Sequence, residues 1–99
     1  MSIEQLKTPE EILEDNGYSI EDLKESGTIM FRNPDFSTAI VGVDYYNRVV
    51  YDYEKMLDYL VKYENMTYED AADFISYDTL RALDYISGNK PVVMFPLIN

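Results

Sequence analysis

Nineteen aspartates and glutamates, with no histidine and no cysteine, restrict this 99-residue chain to carboxylate chemistry. Paired carboxylates hydrolyse glycosides when set at a defined separation, and clustered ones hold the metal ions of nucleases. Neither spacing occurs here. Asp44 to Arg48 offers one acid in five positions, too few for a calcium loop. Four glycines supply no phosphate-cradling loop. Glu69, Asp70 and Asp73 stand where a helix begins, and acids there complement the positive end of the helix dipole, so capping accounts for them. Lack of histidine removes the usual general base at neutral pH and the commonest metal ligand; lack of cysteine removes thiolates and disulfides. The chain therefore reads as non-enzymatic, with no catalytic, cofactor or metal site expected.

What remains is charge. The net charge is −11, and the acids are unevenly spread. Residues 1–27 carry eight acids and two lysines, residues 28–52 three acids and two arginines, and residues 53–99 eight acids and four bases. Seven of the N-terminal acids fall within residues 8–27: Glu10, Glu11, Glu14, Asp15, Glu21, Asp22 and Glu25. Helical spacing sets Glu10–Glu14, Glu11–Asp15, Glu21–Glu25, Glu54–Asp58 and Glu69–Asp73 as like-charge pairs four residues apart. Each such pair costs about 0.2–0.5 kcal/mol in an isolated helix. Asp58–Lys62 has the favourable order. Dipole preference accounts for Glu10, Glu11, Glu21 and Asp22 in first turns, but not for Glu14, Asp15 and Glu25 near helix ends, where acids are disfavoured. Carboxylates about 5–6 Å apart along a helix imitate a row of phosphates. Direct nucleic-acid binding and anionic membranes are disfavoured by the charge; a basic protein, a nuclease among them, is the partner it permits.

Tyrosine supplies the other candidate contacts. Most of the ten tyrosines are expected half-buried, rings in the core and hydroxyls at the edge. Tyr45 and Tyr46 differ, because they sit side by side at a hairpin tip where both cannot be buried. They are the candidate anchors beside the seven acids.

The elements that must position these residues are marked by local signals. Thr8, Pro9 and Glu11 form a capping box opening a helix over 9–16, stopped by Gly17. Ser19 with Asp22 repeats the device for a helix over 20–26, ended by Gly27. Ile12, Leu13, Ile20 and Leu23 must pack on something, since helices this short are marginal alone. TIMFR (28–32) reads as a strand, NPD (33–35) as a turn, FSTAIVGV (36–43) as a central strand, DYYN (44–47) as a tight link and RVVYD (48–52) as a returning strand. Asp52 caps a helix over 53–64, and Thr67 with Asp70 opens a helical stretch to about Ile86. Its apolar face is Ala71, Ala72, Ile75, Thr79, Ala82, Leu83 and Ile86. SYDT in its middle is either a kink or a break at which Asp78 recaps; Asp78 and Arg81 read as a cap and an ion pair. PVVMF (91–95) is a last strand.

The fold class is α+β: a small antiparallel sheet, a three-strand meander plus the C-terminal strand, packed against helices. The whole of 1–99 reads as one domain, with an acidic helical segment (1–27), a β-meander (28–52), helices (53–87) and the final strand (91–95). Hydrophobic residues make up 46% of the chain, enough to build a core. The start, MSIEQLKTPEE, has neither a basic n-region nor an apolar h-region, so a cytoplasmic location is expected and the NMT triplet at 65–67 carries no glycan.

AIVGVDYYNRVVYDYEKMLDYL, YEDAADFISYDTLRAL and PVVMF together resemble a group of small acidic proteins of low-GC Gram-positive bacteria and their phages or plasmids. The likeness covers roughly residues 39–95 and implies a mobile-element setting, with no activity attached. With the charge, it favours an acidic decoy of a nucleic-acid-binding protein, of the anti-restriction or anti-CRISPR kind. An antitoxin-like or regulatory interaction protein is the alternative, and an enzyme a distant third. Nothing in the sequence says whether the acidic helices share one face, or in what oligomeric state the chain acts.

Overall fold

The computed structural model describes residues 6–97, so Glu4 lies outside the described residues. The architecture is α+β, with a three-stranded mixed sheet. Helices α1 (Pro9–Asp15) and α2 (Ile20–Glu25) come first, followed by a 3-10 turn (Ser37–Ala39) and strands β1 (Ile40–Val43) and β2 (Val49–Asp52). Helices α3 (Tyr53–Tyr63) and α4 (Tyr68–Phe74) lead into a π-helical turn (Ile75–Leu80), a short α5 (Arg81–Leu83) and strand β3 (Val92–Met94).

The helix starts obey their caps. Thr8 Oγ1 accepts from the Glu11 amide while Glu11 accepts from the Thr8 amide, a complete box. At Ser19 and Thr67 the cap hydroxyl accepts from the amides of Asp22 and Asp70. The reciprocal half does not form there, because aspartate is one methylene shorter than glutamate. Asp52 caps α3 through the Lys55 amide. Leu13 of α1 and Leu23 of α2 are buried, and Ile20 packs against the same core, which is what holds two such short helices in place.

The sheet departs from the expected meander. Residues 28–32 form no strand: only Thr28 bridges to Asn89, and the Ile29 amide donates to the Asn89 carbonyl. The Phe31 amide turns instead to the Tyr51 hydroxyl, 3.2 Å away, so the segment satisfies its backbone on a side chain. Residues 36–43 are only half strand. Asp35 Oδ1 accepts from the Ser37 amide, and Phe36 adopts φ 50°, so a local turn outcompetes the ladder until Ile40. The expected central place of this strand is also corrected: β1 lies at an edge, and β2, with Val49 and Tyr51 fully buried, is central. β1 and β2 pair antiparallel, whereas β3 pairs parallel to β2 with Asp52 opposite Met94, so the sheet is mixed. A parallel neighbour requires a long crossover, which the helices after Asp52 provide.

Two further corrections concern the last helices. SYDT does not break the helical stretch; the chain runs from α4 through the π turn into α5, so no separately capped helix starts at Asp78. A π turn holds an extra residue, which advances the phase of the helix beyond it. Thr79 is still buried, but Leu80 packs on the core and Ala82 is exposed. Asp78 lies inside that turn, where it caps nothing and pairs with no cation among the described residues, Arg81 included. The tyrosines are also more exposed than expected. Tyr51 and Tyr59 are buried, but Tyr18, Tyr45, Tyr46, Tyr68, Tyr77 and Tyr85 are exposed.

Candidate functional site

All five like-charge pairs fall within helices, as their spacing requires. The acids of α1 and α2 nonetheless divide by role. Glu10 reaches 22 residues along the chain to Arg32, with the guanidinium donating at 2.8 Å. Glu11 is held in its capping box, and Asp15 is paired with Lys7. Glu14, Glu21, Asp22 and Glu25 are exposed and meet no cation among the described residues. The free charge is therefore carried by α2 and the last turn of α1.

The hydrogen bond from Arg32 holds the Glu10 carboxyl below its ordinary 4.5, against the opposing effect of partial burial. A carboxylate with a lowered pKa stabilises the fold above the unfolded-state value and loses that contribution as pH falls through the folded value. Replacing Glu10 by glutamine should cost up to about 1 kcal/mol at pH 7, the range of a partly exposed ion pair. In urea unfolding at successive pH values, the difference from the parent should close as pH drops through and below the ordinary carboxylate range.

Tyr45 and Tyr46 stand at the tip between β1 and β2, 92% and 67% exposed, their rings in edge contact with centroids 5.3 Å apart. The turn that carries them is held by Asp44. Asp44 Oδ1 accepts from the amides of Tyr46 and Arg48, and the Arg48 Nε donates to Asp44 Oδ2 at 2.6 Å. Desolvation pushes the Asp44 carboxyl upward, but the amide and guanidinium donors of Arg48 and the Tyr46 amide outweigh it and hold it below 3.8. The Arg48 guanidinium also lies over the Tyr46 ring, 5.4 Å from its centroid. Asn47 takes φ 62°, a left-handed conformation that asparagine tolerates.

The tip is braced from two other segments. Asn47 Nδ2 donates to Ser26 Oγ at 2.7 Å, and Thr28 Oγ1 donates to the Asn47 carbonyl at 2.6 Å. Asn89 Nδ2 bridges the carbonyls of Tyr46 and Asn47 at 2.7 and 3.1 Å. Ser26 is the residue after Glu25, so the end of α2 and the tyrosine-bearing turn are joined directly. α1 packs beside α2, with Leu13 and Leu23 buried in the core.

Sequence reading missed the braces. The Asp44–Asn47 turn signal was present in DYYN, but Ser26, Thr28 and Asn89 carried no local mark of their distant role. A second exposed apolar area lies at β3, where Tyr53 and Phe95 stack with centroids 4.6 Å apart and Met94, Phe95 and Leu97 are exposed. Among the described residues no group of three or more potential ligands converges as a metal site, and no helix is long and apolar enough to cross a membrane. No family model, curated protein or solved structure matches the chain.

Proposed function

We propose that the chain is a non-enzymatic, cytoplasmic binding domain that covers the basic surface of a nucleic-acid-binding protein, a nuclease being the concrete case. Its acids stand in for phosphates, as in an anti-restriction or anti-CRISPR inhibitor of a phage or plasmid. The observation that supports this most is the Asn47–Ser26 bond, which ties the end of α2 to the tyrosine-bearing turn. Exposed carboxylates steer a basic partner and set the register, while tyrosines supply rigid contact area at little entropic cost.

Immobilised chain, exposed to bacterial lysate at low salt and eluted with a salt gradient, tests the proposal. A basic nucleic-acid-binding protein should leave sharply as salt rises, because exposed charges are screened within about 8 Å at physiological ionic strength. Capture that persists at high salt would contradict it. Replacing Tyr45 and Tyr46 by alanine should leave stability within about 0.5 kcal/mol of the parent, since both are surface residues. The same pair should weaken the captured complex by roughly tenfold or more if they anchor it; calorimetry of binding reads both rings together.

A second reading rests on the β3 area. Tyr53, Met94, Phe95 and Leu97 present apolar surface of the kind a regulatory or antitoxin-like subunit uses. Salt-resistant capture that is lost on replacing Phe95 by serine would favour it.

A further inference from the structure

Between residues 31–36 and the helical stretch that contains the π turn runs a groove lined by Phe31, Phe36, Phe74 and Ile86. Asp78 and Thr79 supply its polar wall. From these groups we infer that the groove receives one arginine side chain of a basic partner, an inference that rests on the reading that the partner is basic.

The polar groups of the groove wall narrow the guest. Thr79 is 8% exposed, but its hydroxyl is reached by solvent through the groove, since among the described residues Ser37 Oγ is the sealed side-chain polar atom without a partner. A helical threonine ordinarily returns its hydroxyl to the carbonyl four residues earlier. Here it is left as an unused acceptor in the groove wall. Asp78 beside it is exposed and meets no cation among the described residues. Arg32 also lines the groove, but its guanidinium is committed to Glu10. Glu64 lines a separate neighbouring hollow that shares Pro34 and Phe74 with the groove and is not part of the proposed site. The Asp78 carboxylate beside phenylalanine rings complements a cation on an apolar stem.

Size narrows the class. The groove holds about 160 Å³, below the roughly 300–1,000 Å³ of small-molecule sites, so it suits a single side chain. Arginine fits each wall: its methylenes lie on the rings, its guanidinium stacks on an aromatic face, and its fork reaches a carboxylate through two N–H groups with others to spare for a hydroxyl. Lysine, a compact and strongly hydrated charge, meets the carboxylate without the fork.

The probe is the blocked tripeptide acetyl-Gly-Arg-Gly-amide, with citrulline and norleucine analogues, titrated into the full chain while the Thr79 methyl and Phe74 ring resonances are followed. The arginine peptide should shift both saturably, the analogues should bind at least about tenfold more weakly, in line with loss of a charge-assisted bidentate pair, and Asp78→Asn should abolish the effect. Thr79→Val, close in shape, should weaken it without unfolding the chain. Glu14→Lys/Glu25→Lys should leave it unchanged. Equal binding of the norleucine peptide, or shifts confined to α1 and α2, would overturn the groove assignment while leaving the acidic surface intact. Saturable Thr79 shifts in a chain that captures no basic protein would support the groove and overturn the α2 surface.

Discussion

Exchanging Glu14 and Glu25 for lysine should weaken capture of the basic partner by roughly tenfold for each charge reversed, while leaving the fold as stable as before or slightly more so. The two effects have opposite signs for a physical reason. Both residues sit in the last turns of α1 and α2, where carboxylates oppose the dipole and lysine favours it by about 0.3–1 kcal/mol. Each exchange also turns a like-charge pair, Glu10–Glu14 or Glu21–Glu25, into the favourable acid-then-base order. Neither residue has an ion pair to lose among the described residues. In a complex, close charge pairs couple by about 1.5 kcal/mol or more, which is tenfold or greater in affinity. Acids that cost stability and repay nothing in binding would be ordinary surface charge. Thermal unfolding and partner titration on the same double variant separate the two cases: a more stable protein that binds unchanged would place the seven acids among solvated residues.

The largest loss of stability should come from Tyr51→Ala, about 3–5 kcal/mol by the scale of large-to-small core changes. Tyr51 is fully buried in the central strand, and its ring meets Phe31 with centroids 4.7 Å apart. Burial holds its hydroxyl well above the ordinary phenol range, with the Phe31 amide as the opposing donor. A domain of this size has about 5–15 kcal/mol of stability, so the variant should lose a large fraction of it. Tyr51→Phe separates packing from hydrogen bonding. It keeps the ring but leaves the half-buried Phe31 amide without its acceptor, at about 1 kcal/mol or more. Denaturant titration should rank Ala far below Phe, and hydrogen exchange should quicken at the Phe31 amide before it does elsewhere. Equal loss from both variants would mean that the hydroxyl, not the ring, holds residues 28–32 to the sheet.

That same bond explains which parts of the fold were legible in the sequence. Caps are interactions across three residues, so Thr8, Ser19, Asp52 and Thr67 marked the helix starts where they occur. The apolar run TIMFR had the composition of a strand, but its backbone is satisfied by a hydroxyl 20 residues away, which no local pattern encodes. The parallel seat of β3 and the phase advance at Ile75–Leu80 are likewise set by long-range packing. At the site, the acids and Tyr45–Tyr46 were visible one by one. The tie between the end of α2 and the tyrosine-bearing turn was not, because it depends on Ser26, Thr28, Asn47 and Asn89 meeting across the fold. Nor was the capture of Glu10 by Arg32, which removes one of the seven from the free charge.

The most direct measurement of the central claim is competition: duplex DNA titrated against the preformed complex of the chain with the basic protein it captures. Acids standing in for phosphates predict mutually exclusive binding, with DNA displacing the chain completely and salt weakening both ligands in parallel. A stable ternary complex of chain, partner and DNA would contradict it.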